Sequence, residues 1–148
     1  MRTLALVILL VAACGSKETS SAGPVGKVVD VRSHLKAEQA AKAPADDKAT
    51  KHEYAVDVHG VKAKLVWRTF EDGANKLIVS YNWEVITPSP TITLEPMGAL
   101  NPENAGTEAA VIERLIVRVR WHDNSSSTST KYGEQSFSID AAGVGKPV

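Results

Sequence analysis

One cysteine, Cys14, is the only thiol in the 148 residues. That scarcity excludes an internal disulfide and a thiolate-rich metal site. Net charge is missing too, with 17 basic and 17 acidic residues. Non-specific nucleic-acid binding needs a strong basic excess, so no nucleic-acid partner is expected. Beyond the first residues no apolar run is long enough to cross a bilayer as a helix. There is no glycine-rich phosphate loop, no dinucleotide fingerprint and no pair of catalytic carboxylates. Ser125, Ser126 and Ser127 follow His122 and Asp123. A flexible serine run cannot hold an attack geometry, and no nucleophile elbow surrounds it. The expectation is a non-catalytic chain without a cofactor.

What is present begins at the amino terminus. Arg2 and the terminal amine form a small positive region, followed by an apolar run from Leu4 to Ala13. The run is about half the ~20 residues of a membrane-spanning helix, so it reads as a signal peptide. Its last residues, Val11-Ala12-Ala13, lead directly into Cys14. This arrangement resembles the lipobox of bacterial lipoproteins. The resemblance covers four residues and their upstream context. It implies cleavage before Cys14, a thioether-linked diacylglycerol on that cysteine and acylation of its new amino group. More than one acyl chain gives stable anchoring, at ~0.8 kcal/mol per buried methylene. The membrane is therefore the expected partner, through lipid on Cys14, and the cell envelope the expected location. Gly15 rather than aspartate follows the cysteine, a pattern similar to outer-membrane sorting in enterobacterial lipoproteins. Removing residues 1–13 removes Arg2 alone and leaves a formal charge of −1.

Gly15 to Gly26 is rich in Ser, Gly, Lys and Thr and is expected to be a flexible tether with a root-mean-square reach of ~20 Å. Residues 27–51 are expected to hold an edge strand, Lys27 to Arg32, and then a short helix or linker. That second stretch, His34 to Ala43, has good helix propensity but mostly alanine to bury. From His52 the apolar period becomes two. Tyr54, Val56 and Val58 precede His59-Gly60, and Val61, Ala63, Leu65 and Trp67 follow it. A two-residue turn there pairs Val58 with Val61, Val56 with Ala63 and Tyr54 with Leu65, all on one face. Glu71-Asp72-Gly73 marks a second turn. Leu77, Val79, Tyr81, Trp83 and Val85 then form one apolar face, opposite Ile78, Ser80, Asn82 and Glu84.

Thr87 to Gly106 contains Pro88, Pro90, Pro96 and Pro102. Proline cannot donate a ladder bond, so only a short edge strand over Thr91–Leu94 is expected there. Between Ala109 and Trp121, Leu115, Val117, Val119 and Trp121 alternate with Ile112, Arg114, Ile116, Arg118 and Arg120. Gln135, Phe137 and Ile139 make a last strand. The expected fold is all-β. It is a single antiparallel β-sandwich over residues 52–140, immunoglobulin-like in size only, behind a signal peptide (1–13), a lipidated tether (14–26) and the segment 27–51. Residues 141–148 are expected to be a tail.

Trp67, Trp83 and Trp121 are expected on the core side, where large aromatics dominate burial. The rival reading is an open aromatic groove for sugar or peptide. Lys62, Lys64 and Arg68 lie opposite Trp67, and Arg114, Arg118 and Arg120 lie opposite Trp121. If the two strands share a sheet, these six form one basic stripe for an anionic lipid or acidic glycan. Otherwise they are solvated charges paired with Glu84, Asp57 or Glu113. His52-Glu53, Asp57-x-His59 and His122-Asp123 place carboxylates beside imidazoles, but no spacing matches a metal-ligand pattern. Two functional readings remain. One is a lipid-anchored, non-catalytic module that binds or supports another envelope component. The other is a small-ligand or metal carrier with a pocket lined by Trp or His.

Overall fold

The computed structural model describes residues 18–20, 23–100 and 113–148. Among the described residues nine strands form two antiparallel sheets. One sheet takes β2 (Val29–Asp30), β3 (Thr50–Val58), β4 (Val61–Asp72) and β5 (Asn75–Thr87), in the order β2-β5-β4-β3. The other takes β1 (Glu18–Ser20), β6 (Ile92–Leu100), β7 (Arg114–Asp123), β8 (Lys131–Asp140) and β9 (Gly145–Pro147), in the order β1-β6-β7-β8-β9. The expected all-β sandwich is therefore present. Its connectivity is that of two meanders, β3-β4-β5 and β6-β7-β8-β9, rather than the Greek key of immunoglobulin domains.

The β3–β4 hairpin follows directly from local sequence. His59 and Gly60 have φ of 50° and 87°, the paired left-handed residues of a type I′ turn. That turn matches strand twist and fixes the register Val58↔Val61, Val56↔Ala63 and Tyr54↔Leu65. All of these pairs share the inner face. The β4–β5 pairing contains two irregularities, one between Lys62 and Ala63 and one between Arg68 and Thr69. They leave Ile86 and Val79 of β5 without a partner. Each extra residue shifts the parity of the strand. Leu77, expected beside Val79 and Tyr81, is consequently paired with Phe70, while Tyr81 is paired with Trp67.

The core lies between the sheets. Leu65, Trp67, Tyr81 and Trp83 from one sheet meet Leu115, Val117, Val119, Phe137 and Ile139 from the other, and all are buried. Trp83 and Phe137 make an edge-on contact with centroids 5.6 Å apart. The Trp67 indole N–H donates to the Asp140 carbonyl at 2.8 Å, joining the sheets with a hydrogen bond.

Several boundaries differ from expectation. The sandwich does not start at residue 52 or stop at 140. Residues 141–148, expected as a tail, supply β9, which pairs with Phe137 to Ile139. The expected tether is also partly structural: β1 pairs with Ala99 and Leu100, and the Gly26 N–H donates to the Trp83 carbonyl at 2.8 Å. The proline-bearing β6 runs to Leu100 rather than ending at Leu94. Pro96 is tolerated because β1 covers only the Ala99–Leu100 end, which leaves Pro96 on an edge among the described residues. Ile112 and the lipobox lie outside the described residues.

The segment before β3 has more to bury than its alanines suggest. A 3-10 turn (Arg32–His34) and α1 (Ala37–Lys42) cover part of the β2-β5-β4-β3 sheet. Leu35 is buried, and Ala40 and Ala43 pack against the core. Asp46 fastens this cover, accepting from Arg32 Nη2 at 2.7 Å and from Ser80 Oγ at 3.0 Å. Burial alone would raise the Asp46 carboxyl, but the bonds from Arg32 and Ser80 outweigh it and hold it below its ordinary value. This accounts for the burial of Ser80, which sits among residues expected on the face opposite the apolar one. Leu35→Ala is expected to cost ~2–5 kcal/mol in a urea titration. A loss below about 0.5 kcal/mol would show that the segment lies outside the folding unit.

Candidate functional site

The strands give the sandwich two distinct ends. One carries the His59–Gly60 turn and the loop from Asn124 to Thr130. The other carries the Asp72–Asn75 turn, Leu100, Arg114 and Asp140. The densest set of polar and aromatic contacts lies at the His59 end. His59 stacks on Trp121 with centroids 3.6 Å apart and planes 1° from parallel. Its Nε2 lies 3.1 Å from Asp123 Oδ2. Its backbone N–H donates to Gln135 Oε1 at 3.2 Å, and Gln135 Nε2 donates to the Asp57 carbonyl at 3.4 Å. The turn of one sheet is thus clamped to two strands of the other. Trp121 fits because its register partner is Gly133, where a Cβ would stand 2.6 Å from the indole.

Asp123 lies at the centre of this clamp. The Ser125 hydroxyl and backbone N–H, and then His59, hold its carboxyl down to about 2. Serine and histidine both bind the same carboxylate. No serine hydroxyl is activated by an imidazole here, so the arrangement is a structural bridge and not a nucleophilic triad. The histidines do not pair with their sequence neighbours. His59 takes Asp123 rather than Asp57, His122 Nε2 takes Glu95 Oε2 at 3.1 Å, and His52 Nε2 meets Thr69 Oγ1 at 2.7 Å. Consecutive strand residues face opposite sides, so partners come from across the ladder or across the core. Among the described residues no group of three His, Cys, Asp or Glu side chains converges as a metal site.

The single basic stripe does not form. The chain passes from one sheet to the other between β5 and β6, so β4 and β7 lie in different sheets and their outer faces point apart. On the β4 face, Lys64 Nζ is 3.3 Å from Glu53 Oε2, Lys62 is in register with Asp57, and Arg68 Nη1 donates to Asn82 Oδ1 at 3.3 Å. On the β7 face, Arg120 Nη2 is 2.7 Å from Glu134, Arg118 Nε donates to the Gly98 carbonyl at 3.0 Å, and Arg114 is in register with Asp140. Each basic side chain has polar neighbours in its own sheet, and neither face presents a uniform positive field.

The tryptophans divide. Trp67 and Trp83 are 0% and 3% exposed, whereas Trp121 is only partly buried, beneath His59. None of the three lines the apolar groove of 320 Å³ formed by Val25, Val61, Val85, Pro88, Ile92 and Leu94. No histidine lines it either, so the expected features of a carrier do not coincide there. The exposed aromatic is Tyr132, 69% exposed, with the Arg120 guanidinium 6.0 Å from its ring centroid. The His59 clamp was not expected from sequence. The signal available was Gly133 inside a strand, which marks a close approach.

Comparison with known proteins adds no relative: no protein-family model matches the chain, and no curated protein or solved structure is significantly similar to it.

Truncating the two kinds of tryptophan should separate them. Trp67→Ala is expected to cost ~3–5 kcal/mol and Trp121→Ala roughly 1–3 kcal/mol by denaturant titration. Equal losses would contradict the difference in burial.

The ionisable groups give a second check. Asp123 is depressed in the fold, so its contribution to stability is present above about pH 4 and lost as pH falls towards 2. His52 is also lowered, by burial first, with Lys76 adding to this against Asp140. For an imidazole the consequence is that the unfolded chain takes up the proton first. Stability then declines as pH falls through 6.5, the ordinary value. A side-chain NMR titration should place Asp123 near 2, and Ser125→Ala should move it upward. An ordinary carboxyl midpoint in the wild-type protein would contradict the bridge.

Proposed function

We propose that this chain is a lipid-anchored lipoprotein of the bacterial cell envelope, whose β-sandwich is a non-catalytic binding or structural module. The observation that carries the reading is Val11-Ala12-Ala13-Cys14 at the end of a short apolar run. A sole cysteine at the cleavage position leaves the mature domain without a thiol. The sandwich supports the reading in one further way. On its outer faces Lys64 is paired with Glu53 and Arg120 with Glu134, so these charges supply little general attraction to anionic surfaces. Attachment then rests on the acyl chains, while the domain is left to meet another envelope component. The six basic residues expected as an anionic contact are divided between two sheets, and this reading assigns anchoring to the lipid on Cys14.

Cys14→Ser tests the anchor. In cells fed a clickable palmitate analogue, the wild-type chain should take up label and fractionate with membranes. The serine variant should lose the label and remain as the longer precursor or appear mis-sorted. Undiminished labelling of the serine variant would overturn the proposal.

A further inference from the structure

The position of β1 fixes more than the boundary of the domain. β1 runs antiparallel to β6, with Glu18 opposite Leu100 and Ser20 opposite Ala99. Leu100 belongs to the Asp72 end of the sandwich, because it is paired with Ile116 near the start of β7. From there the chain passes Leu94 and Pro96, which line a groove with Gly23 and Pro24. Val25 reaches the His59 end, in the groove that Val61 also lines. The Lys27 N–H closes a turn on the Pro24 carbonyl at 3.1 Å, and β2 returns in the opposite sense. Whatever precedes Glu18 therefore departs from the Asp72 end.

We propose that the lipidated protein stands on the bilayer, with the Asp72 end against the headgroups and the His59 end directed away from the membrane. The proposal rests on lipidation of Cys14. Only Gly15, Ser16 and Lys17 separate that residue from Glu18. Four Cα steps span at most ~14 Å, even fully extended. A strand the length of β4 or β5 is ~40 Å long. The anchored end is thus confined close to the surface, and the opposite end is several times farther from its attachment. Tipping the domain onto one side would need a face that membranes attract. The outer face of β4 carries Lys64 against Glu53, and that of β7 carries Arg120 against Glu134. Neither offers the unpaired positive field or broad apolar patch that would hold it flat. The partner of the Asp72 end is accordingly the lipid headgroup layer. The end presented outward carries the His59–Gly60 turn and the hydroxyl-rich loop from Asn124 to Thr130.

Energy transfer to the membrane tests this orientation. With Cys14 consumed in its thioether, Asn75→Cys and Ser127→Cys each supply a unique thiol for a donor fluorophore, and both native side chains are exposed. The purified lipidated variants are placed in phosphatidylethanolamine–phosphatidylglycerol vesicles carrying a headgroup acceptor. Transfer from position 75 is expected to exceed that from position 127 by at least about twofold, given the ~40 Å between the ends. Inserting twelve Gly/Ser residues between Lys17 and Glu18 should abolish most of that difference. Equal or reversed transfer in protein that is lipidated and co-sediments with vesicles overturns the orientation alone. An undiminished difference after the insertion overturns the role of β1 in setting it. Absence of lipid and of co-sedimentation overturns the anchor, and the orientation with it.

Discussion

Trp67 holds the two sheets in their mutual position. Its side chain is wholly buried, where an unpaired indole N–H is costly. It finds the Asp140 carbonyl, at the end of β8 in the facing sheet. Dispersion and burial alone permit sheets to slide; a buried N–H with one acceptor does not. Around this point the rest is arranged. His52 lies 5.5 Å from the Trp67 ring and bonds Thr69. Gly143 has no room for a Cβ because His52 occupies the space. The turn into β9 is therefore shaped by residues more than seventy positions earlier in the chain.

The His59 clamp does at one end what Trp67 does nearer the other. Its components are individually modest: an exposed imidazole–carboxylate contact, a stacked ring pair and two side-chain hydrogen bonds. Their common feature is that every one crosses between sheets. A sandwich whose ladder hydrogen bonds run only within each sheet gains alignment from such ties. The left-handed φ of His59 is the local cost, since a non-glycine residue occupies a conformation that disfavours a Cβ.

What could be read from the sequence was what depends on parity. The register around His59-Gly60 follows from alternation and from the turn chemistry, and both agree. Inward burial of Leu115, Val117 and Val119 follows in the same way. Parity fails where a strand carries an extra residue, as at Val79, and periodicity holds no signal for that. It is also silent about which sheet a strand joins, which is why Lys64 and Arg118 could be imagined on one surface. The alanine-rich helix was undervalued because its burial depends on Leu35 and Asp46 outside it. The clamp joins residues far apart in sequence, and no local pattern connects His59 to Asp123.

The two meanders also bear on the order of assembly. In the β3-β4-β5 meander each strand meets its neighbour after a two-residue connection, so the loop to be closed is small and its entropic cost low. β1 and β2 are different, because β2 pairs with β5 about fifty residues farther along the chain and β1 with β6 about eighty. During synthesis from the amino terminus, β1 must wait while β3, β4 and β5 pair. β1 is consequently the last strand of its region to find a place, since it pairs only once β6 has emerged.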